Sequence, residues 1–276
     1  MLAGFKNFDP AVEKKLACHP NLPDWACRFG LRKGASPQQE ATGDLVLIAF
    51  YYLLRVGEYT TKTRRKKKTR TVQFRIKDVT FFKRDRRGLL MALPRNATEE
   101  QVMGADAATL RISNQKNGHA GACIHHEALL SAGGRCPVRA LGRRVCHVRR
   151  HSRSGNAFLS SYWDDIGRGD VTDGNISYAV KFAAKMLGYP GRGIPIERID
   201  THSLRSGGAC ALKLAGYDEA AIQKMGRWAP KSTAWLEYIQ QQISTFSAGM
   251  SAAMSAIPTF TNMEGNTVRE DRRQRA

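Results

Sequence analysis

Arg55 and Glu58, Lys116, His202 and Arg205, and Trp228 and Tyr238 are polar or aromatic residues set among apolar stretches and turns, and together they could handle one phosphate. Guanidinium forks at two helix ends pair with non-bridging oxygens, and a lysine adds a third positive charge. A tyrosine beside them could attack phosphorus. Its phenol has a reference pKa of about 10, so only roughly 0.1% is ionised at neutral pH. A cationic cluster favours the phenolate and stabilises the charge of a pentacovalent transition state. This chemistry needs neither a metal nor a cofactor, because the arginines take the metal's place.

The elements that must hold these residues can be read from pattern. Leu45, Leu47, Ile48, Phe50, Tyr51, Leu53 and Leu54 cover most of a helix circumference, which predicts a buried helix from about Thr42 to near Arg55-Val56-Gly57. Residues 1–39 contain Pro10, Pro20, Pro23 and Pro37 with little periodicity and read as a lead-in or linker. Thr71–Ile76 and Val79–Phe82 read as strands. So does Thr109–Ser113, whose following Asn117-Gly118 signals a hairpin with Lys116 at its tip.

The second half reads helical. Pro137 opens a helix with Val138, Leu141, Val145 and Val148 on one side; helices over Ile176–Leu187 and Ser203–Ala215 follow. Asp218 caps a short helix ending near Gly226, and Ser232 or Thr233 caps one carrying Tyr238. Beyond it, Ile239, Ile243, Phe246, Met250, Met254 and Ile257 form a single helical stripe. Residues 259–276 read as a polar tail, frayed from Asn262 to Ala276. The class is α+β, mainly helical with a small antiparallel sheet.

Charge narrows the partner. The chain has 276 residues, 44 Lys and Arg against 24 Asp and Glu, and a formal charge of +20. Residues 62–95 carry a net +12 and residues 135–153 a net +7, so two segments hold nearly all of it. A polyanion is the natural partner, and nucleic acid the commonest. Arg64, Arg65, Lys66, Lys67 and Lys68, with Arg143, Arg144, Arg149 and Arg150, are the expected phosphate contacts. The longest apolar run, Leu45 to Leu54, has ten residues and is too short to span a membrane. No secretory signal is visible, so the expected location is intracellular, and nuclear in a eukaryote, where Arg64–Lys68 fits an import patch. Cys123, His125, His126, Cys136, Cys146, His147 and His151 match no standard zinc spacing, and no metal site is expected.

Arg55-Val56-Gly57-Glu58, Lys116 near a β-turn, His202-Ser203-Leu204-Arg205, Gly226-Arg227-Trp228 and Tyr238 recur in the order found in tyrosine-recombinase catalytic domains, which this chain resembles over about residues 40–245. The phrases Leu53–Thr60, Gln115–Gly118 and Met225–Trp228 are most similar to the eukaryotic mobile-element branch. The resemblance implies DNA cleavage and rejoining without metal or ATP. Arg55 and Arg205 would clamp the scissile phosphate, and Lys116 would protonate the leaving 5′ oxygen. His202 would assist proton transfer with Tyr238, and Trp228 would hold the phosphate. Tyr238 would become a 3′-phosphotyrosine, with Glu58 orienting Arg55 or His202 from behind. The 239–257 helix would swap onto a neighbouring copy, giving a homo-oligomer on DNA.

Two departures stand out. The interval from Trp228 to Tyr238 is one residue longer than is usual in the family, through Ala229-Pro230-Lys231, and one residue turns a helix face by about 100°. The helical DNA clamp that precedes the family's catalytic domain does not fit in 39 proline-dotted residues, so the chain is expected to be a catalytic half. Two alternatives stay open: a type IB topoisomerase, and a silent DNA-binding relic of a recombinase.

Overall fold

The computed structural model describes residues 15–61, 71–112, 121–129 and 135–229, with Phe260–Thr261 and Thr267–Val268. Its centre is α2 (Pro37–Tyr51), in which Leu45, Val46, Leu47, Ile48 and Ala49 are all buried. Pro37 sits at the first helical position, and Ser36 and Gln39 cap each other's backbone N–H at 3.2 and 3.1 Å. Around α2 pack α1 (Asn21–Gly30), α5 (Pro137–His151), α6 (Asp173–Met186) and α7 (Thr201–Leu214).

Helix α1 corrects the lead-in expected over residues 1–39. Leu22, Ala26 and Cys27 bury into the same core as α2, so Pro20 and Pro23 begin a helix instead of preventing one. Helix α2 also starts five residues before Thr42, at Pro37.

One sheet lies beside this bundle. Strands β1 (Val79–Arg84), β2 (Leu90–Ala92), β3 (Ala107–Arg111) and β4 (Cys123–Glu127) pair antiparallel in the order β2-β1-β3-β4, and α4 (Glu99–Met103) bridges β2 and β3. The β3–β4 pairing is the hairpin expected from Asn117-Gly118, though residues 113–120 lie outside the described ones. Thr71–Ile76 is not a sheet strand. Its N–H and C=O groups go instead to Glu58 and to the 155–159 segment, with Phe74 N donating to Glu58 O at 2.8 Å and Ile76 N to Ala157 O at 3.0 Å. A hairpin absent from the sequence reading, β5 (Ser161–Asp164) with β6 (Gly167–Asp170), follows α5. After α7 comes α8 (Glu219–Gly226), capped by Asp218 Oδ1 at 2.6 Å. In the tail, β7 (Phe260–Thr261) pairs with β8 (Thr267–Val268), where a frayed end was expected.

Helix α2 does not run on to Arg55. It stops at Tyr51, Leu53 turns into the left-handed region with φ of 48°, and a short α3 (Val56–Tyr59) begins after Arg55. Gly57 therefore lies inside a helix and ends none. Tyr52 anchors the break by donating its hydroxyl to Ala108 O on β3 at 3.2 Å. His126 on β4 donates Nε2–H to Tyr51 O at 2.8 Å and packs edge-on to the Tyr52 ring.

Candidate phosphate-binding site

The α2–α3 break, the start of α7 and the end of α8 converge on a cluster of arginines. Among the described residues only Leu53 and Arg227 are non-glycines with positive φ, at 48° and 57°, and both belong to this cluster. A left-handed L-residue costs about 1–2 kcal/mol, so the surroundings must enforce it. The return is a set of carbonyls aimed inward. Leu53 O accepts from Arg205 Nη1 and, at 3.3 Å, from Arg227 Nη2; Tyr52 O accepts from Arg227 Nη1 at 3.3 Å.

Arg205, 2% exposed, also donates Nη2 to Gly226 O, and its guanidinium carbon lies 4.2 Å above the centre of the Trp228 ring. That cation–π stack holds the fork flat against the indole. It requires glycine at 226, since a Cβ there would stand 1.6 Å from Trp228 Cζ3. Gly208 on α7 is needed likewise, because a Cβ would meet Leu53 Cδ2 and Phe50 O at 2.4 Å.

Glu58 is the buried counter-ion, 1% exposed. Its Oε2 accepts from the Arg55 backbone N–H and from Arg227 Nη2, both at 2.9 Å, while Oε1 faces Arg55 Nη1 at 3.4 Å. Among the described residues, Arg55 and Arg227 share Glu58, and Asp200, which caps α7, acts on His202. Arg55 is the outermost, its side chain 30% exposed, so the cluster opens towards solvent there. His202, in the first turn of α7, stands at the surface and is crowded by protein on its inner side. Partial desolvation first, then the charges of Arg205 and Arg55, hold its pKa below the ordinary histidine value, so it is mainly neutral at pH 7.

Arg55, Glu58, His202, Arg205 and Trp228 are thus brought together. Lys116 and Tyr238, the 239–257 helix and Arg64–Lys68 lie outside the described residues. The anchors of the 62–70 segment are visible, however. Thr61 N donates to Val171 O at 3.0 Å, and Gln73 Nε2 reaches Thr61 Oγ1 at 3.4 Å, one residue from Phe74 on Glu58.

The arginines of α5 are placed otherwise than expected. Arg144 is 1% exposed and donates to Leu159 O and Ser161 O; burial pushes its pKa down to about 10. Arg143 forks onto buried Asp44, Nε at 2.9 Å and Nη2 at 2.5 Å from Oδ1. Arg150 grips Glu99 through Nε at 2.8 Å and Nη2 at 2.5 Å, and Arg149 donates to Arg95 O and Ala97 O. Arg143 and Arg144 are therefore internal braces, not surface contacts. Arg227 is the site residue that sequence reasoning missed. Its signal was the Gly-Arg-Trp motif itself, where an arginine sits between two residues already singled out.

No protein-family model and no curated protein matches the chain. Among solved structures, the XerH site-specific recombinase bound to palindromic difH substrate, a post-cleavage complex, superposes with a TM-score of 0.51 at 15% identity, covering 86% of this chain. The chain has the tyrosine-recombinase catalytic fold. It spans 54% of the XerH chain, about half its length. The Tn1549 transposon integrase in complex with transposon right-end DNA overlaps more loosely, with a TM-score of 0.44 at 11% identity over 90% of this chain and 70% of that one. Among the described residues no helix is long and apolar enough to cross a membrane.

Proposed function

We propose that the chain cuts and rejoins duplex DNA through Tyr238, as the catalytic part of a recombinase of a mobile element. The observation that carries this reading is the convergence of Arg55, Arg205 and Arg227, with Arg55 open to solvent, beside a mainly neutral His202, on a fold shared with a recombinase. Arg55 and Arg205 hold the non-bridging oxygens. His202 accepts the phenolic proton as the Tyr238 oxygen bonds to phosphorus and the P–O5′ bond breaks, and Lys116 donates a proton to the departing 5′ oxygen. The 3′-phosphotyrosine keeps the bond energy, and a 5′-hydroxyl of another strand reverses the steps. Glu58 and Arg227 are positioning residues. A stripe on 239–257 joins copies on the DNA, and Arg64–Lys68, rooted beside Glu58, adds phosphate contacts.

The test is covalent capture. Purified protein is mixed with nicked, sheared source DNA, denatured in SDS, and the protein-linked DNA is sequenced beside a Tyr238→Phe control. Adducts on a shared sequence that vanish in the control support the reading. DNA binding at low salt without adducts would overturn catalysis and leave a binding relic, while adducts on every sequence with plasmid relaxation would favour a topoisomerase. Because His202 must be neutral to take a proton, adduct yield should fall as the pH is lowered through the range, below the ordinary histidine value, where His202 gains its proton.

A further inference from the structure

We infer that a second cleft, between β1, the 93–97 segment and the C-terminal end of α5, binds backbone phosphates of the same duplex that the Arg55 and Arg205 site engages; this rests on the DNA reading above. The cleft encloses about 540 Å³ and carries Lys77, Arg95, Arg149 and Arg153, and none of its described lining residues is acidic. Its floor is apolar, with Ile76, Val79 and Leu93. Nearby acids are occupied elsewhere: Asp78 accepts from Arg75 N at 2.8 Å, and Glu99 is gripped by Arg150. Arg149 braces the rim through the Arg95 and Ala97 carbonyls. The side chains of Lys77, Arg95 and Arg153 are exposed and make no hydrogen bond or ion pair with described residues. Like charges around one hollow repel each other in the free protein, and a polyanion relieves that repulsion.

The cleft is tied to the arginine site by backbone. Phe74 bonds Glu58 O, Leu159 N donates to Phe74 O at 3.0 Å, and Lys77 N donates to Gly155 O at 3.1 Å. A free phosphate could occupy the hollow alone, but the breadth of the cation set fits consecutive phosphodiesters better.

The experiment is fluorescence anisotropy of a labelled mixed-sequence duplex over a KCl series, with the full chain and Lys77→Ala/Arg95→Ala/Arg153→Ala. Each lost phosphate contact flattens the log–log salt slope by about 0.9, so the triple variant should flatten it by about 2.7. Lys33→Ala/Lys185→Ala/Arg192→Ala removes the same charge from exposed sites elsewhere and should leave the slope as in the parent. Thermal melts of both variants check that they fold. A slope unchanged in the cleft variant, or flattened equally in the control, overturns the inference. So does a saturable calorimetric signal for inorganic phosphate that the cleft variant loses while its DNA slope stays put. Tyr238-dependent adducts with an unmoved slope would sink the cleft alone; a flattened slope without adducts would sink the catalytic reading and leave the cleft standing.

Discussion

Two groups of buried arginines lie within this fold, and they are balanced differently. On α5, Arg143 meets Asp44 one to one, and Arg144 spends its donors on the Leu159 and Ser161 carbonyls. At the α2–α3 break, Arg55 and Arg227 share the carboxylate of Glu58 while Arg205 turns to carbonyls and the Trp228 ring, with a histidine held mainly neutral beside them. The first group is a brace whose charges are closed off. The second leaves Arg55 next to solvent and is framed by two left-handed residues. Burial alone does not tell the two groups apart; their partners and the direction in which they open do.

The largest expected effect comes from breaking the brace. Asp44→Ala strands Arg143 in the core and should cost about 3–5 kcal/mol in urea unfolding. Added sulfate should restore none of it. Glu58→Gln, which removes the buried negative charge beside Arg55 and Arg227, should also destabilise, but sulfate should recover part of its loss; equal behaviour of the two variants would erase the contrast. Next is Gly226→Ala, which drives a methyl into the Trp228 ring and separates it from Arg205. Overpacking of this kind costs about 1–3 kcal/mol and should shift the indole emission.

The smallest expected effect is acid sensitivity at His126. Burial holds its pKa down to about 4, although its bond to Tyr51 O favours the charged form. The unfolded chain takes up the proton first. Stability is then complete above about pH 6.5 and declines towards pH 4. His126→Gln should flatten that part of the profile in pH-dependent melts; an unchanged profile would remove His126 as the cause.

Much of the site was legible because its residues are announced by local spacing: Arg55 three before Glu58, His202 three before Arg205, and Trp228 after Gly226. Arg227 was not, because its partners Glu58 and Leu53 lie some 170 residues away and its role depends on a left-handed backbone. Arg144 was misread as surface because seven arginines dominate its segment. Helical spacing carried the warning, since Arg144 follows Leu141 by three and precedes Val148 by four, on the buried stripe. Helix α1 was hidden by its prolines, which sit where a helix tolerates them. The Thr71–Ile76 segment has strand-like composition, but its partners are a loop and Glu58, and composition does not record partners.

The contrast between the two arginine groups is tested most directly by sulfate titration followed through thermal melting. A site with a millimolar dissociation constant, at tenfold excess of ligand, gains about 1.4 kcal/mol by linkage. Wild type and Arg150→Ala should show that stabilisation alike, and Arg55→Ala should lose most of it. A sulfate response that survives Arg55→Ala unchanged would contradict an open phosphate site at the α2–α3 break.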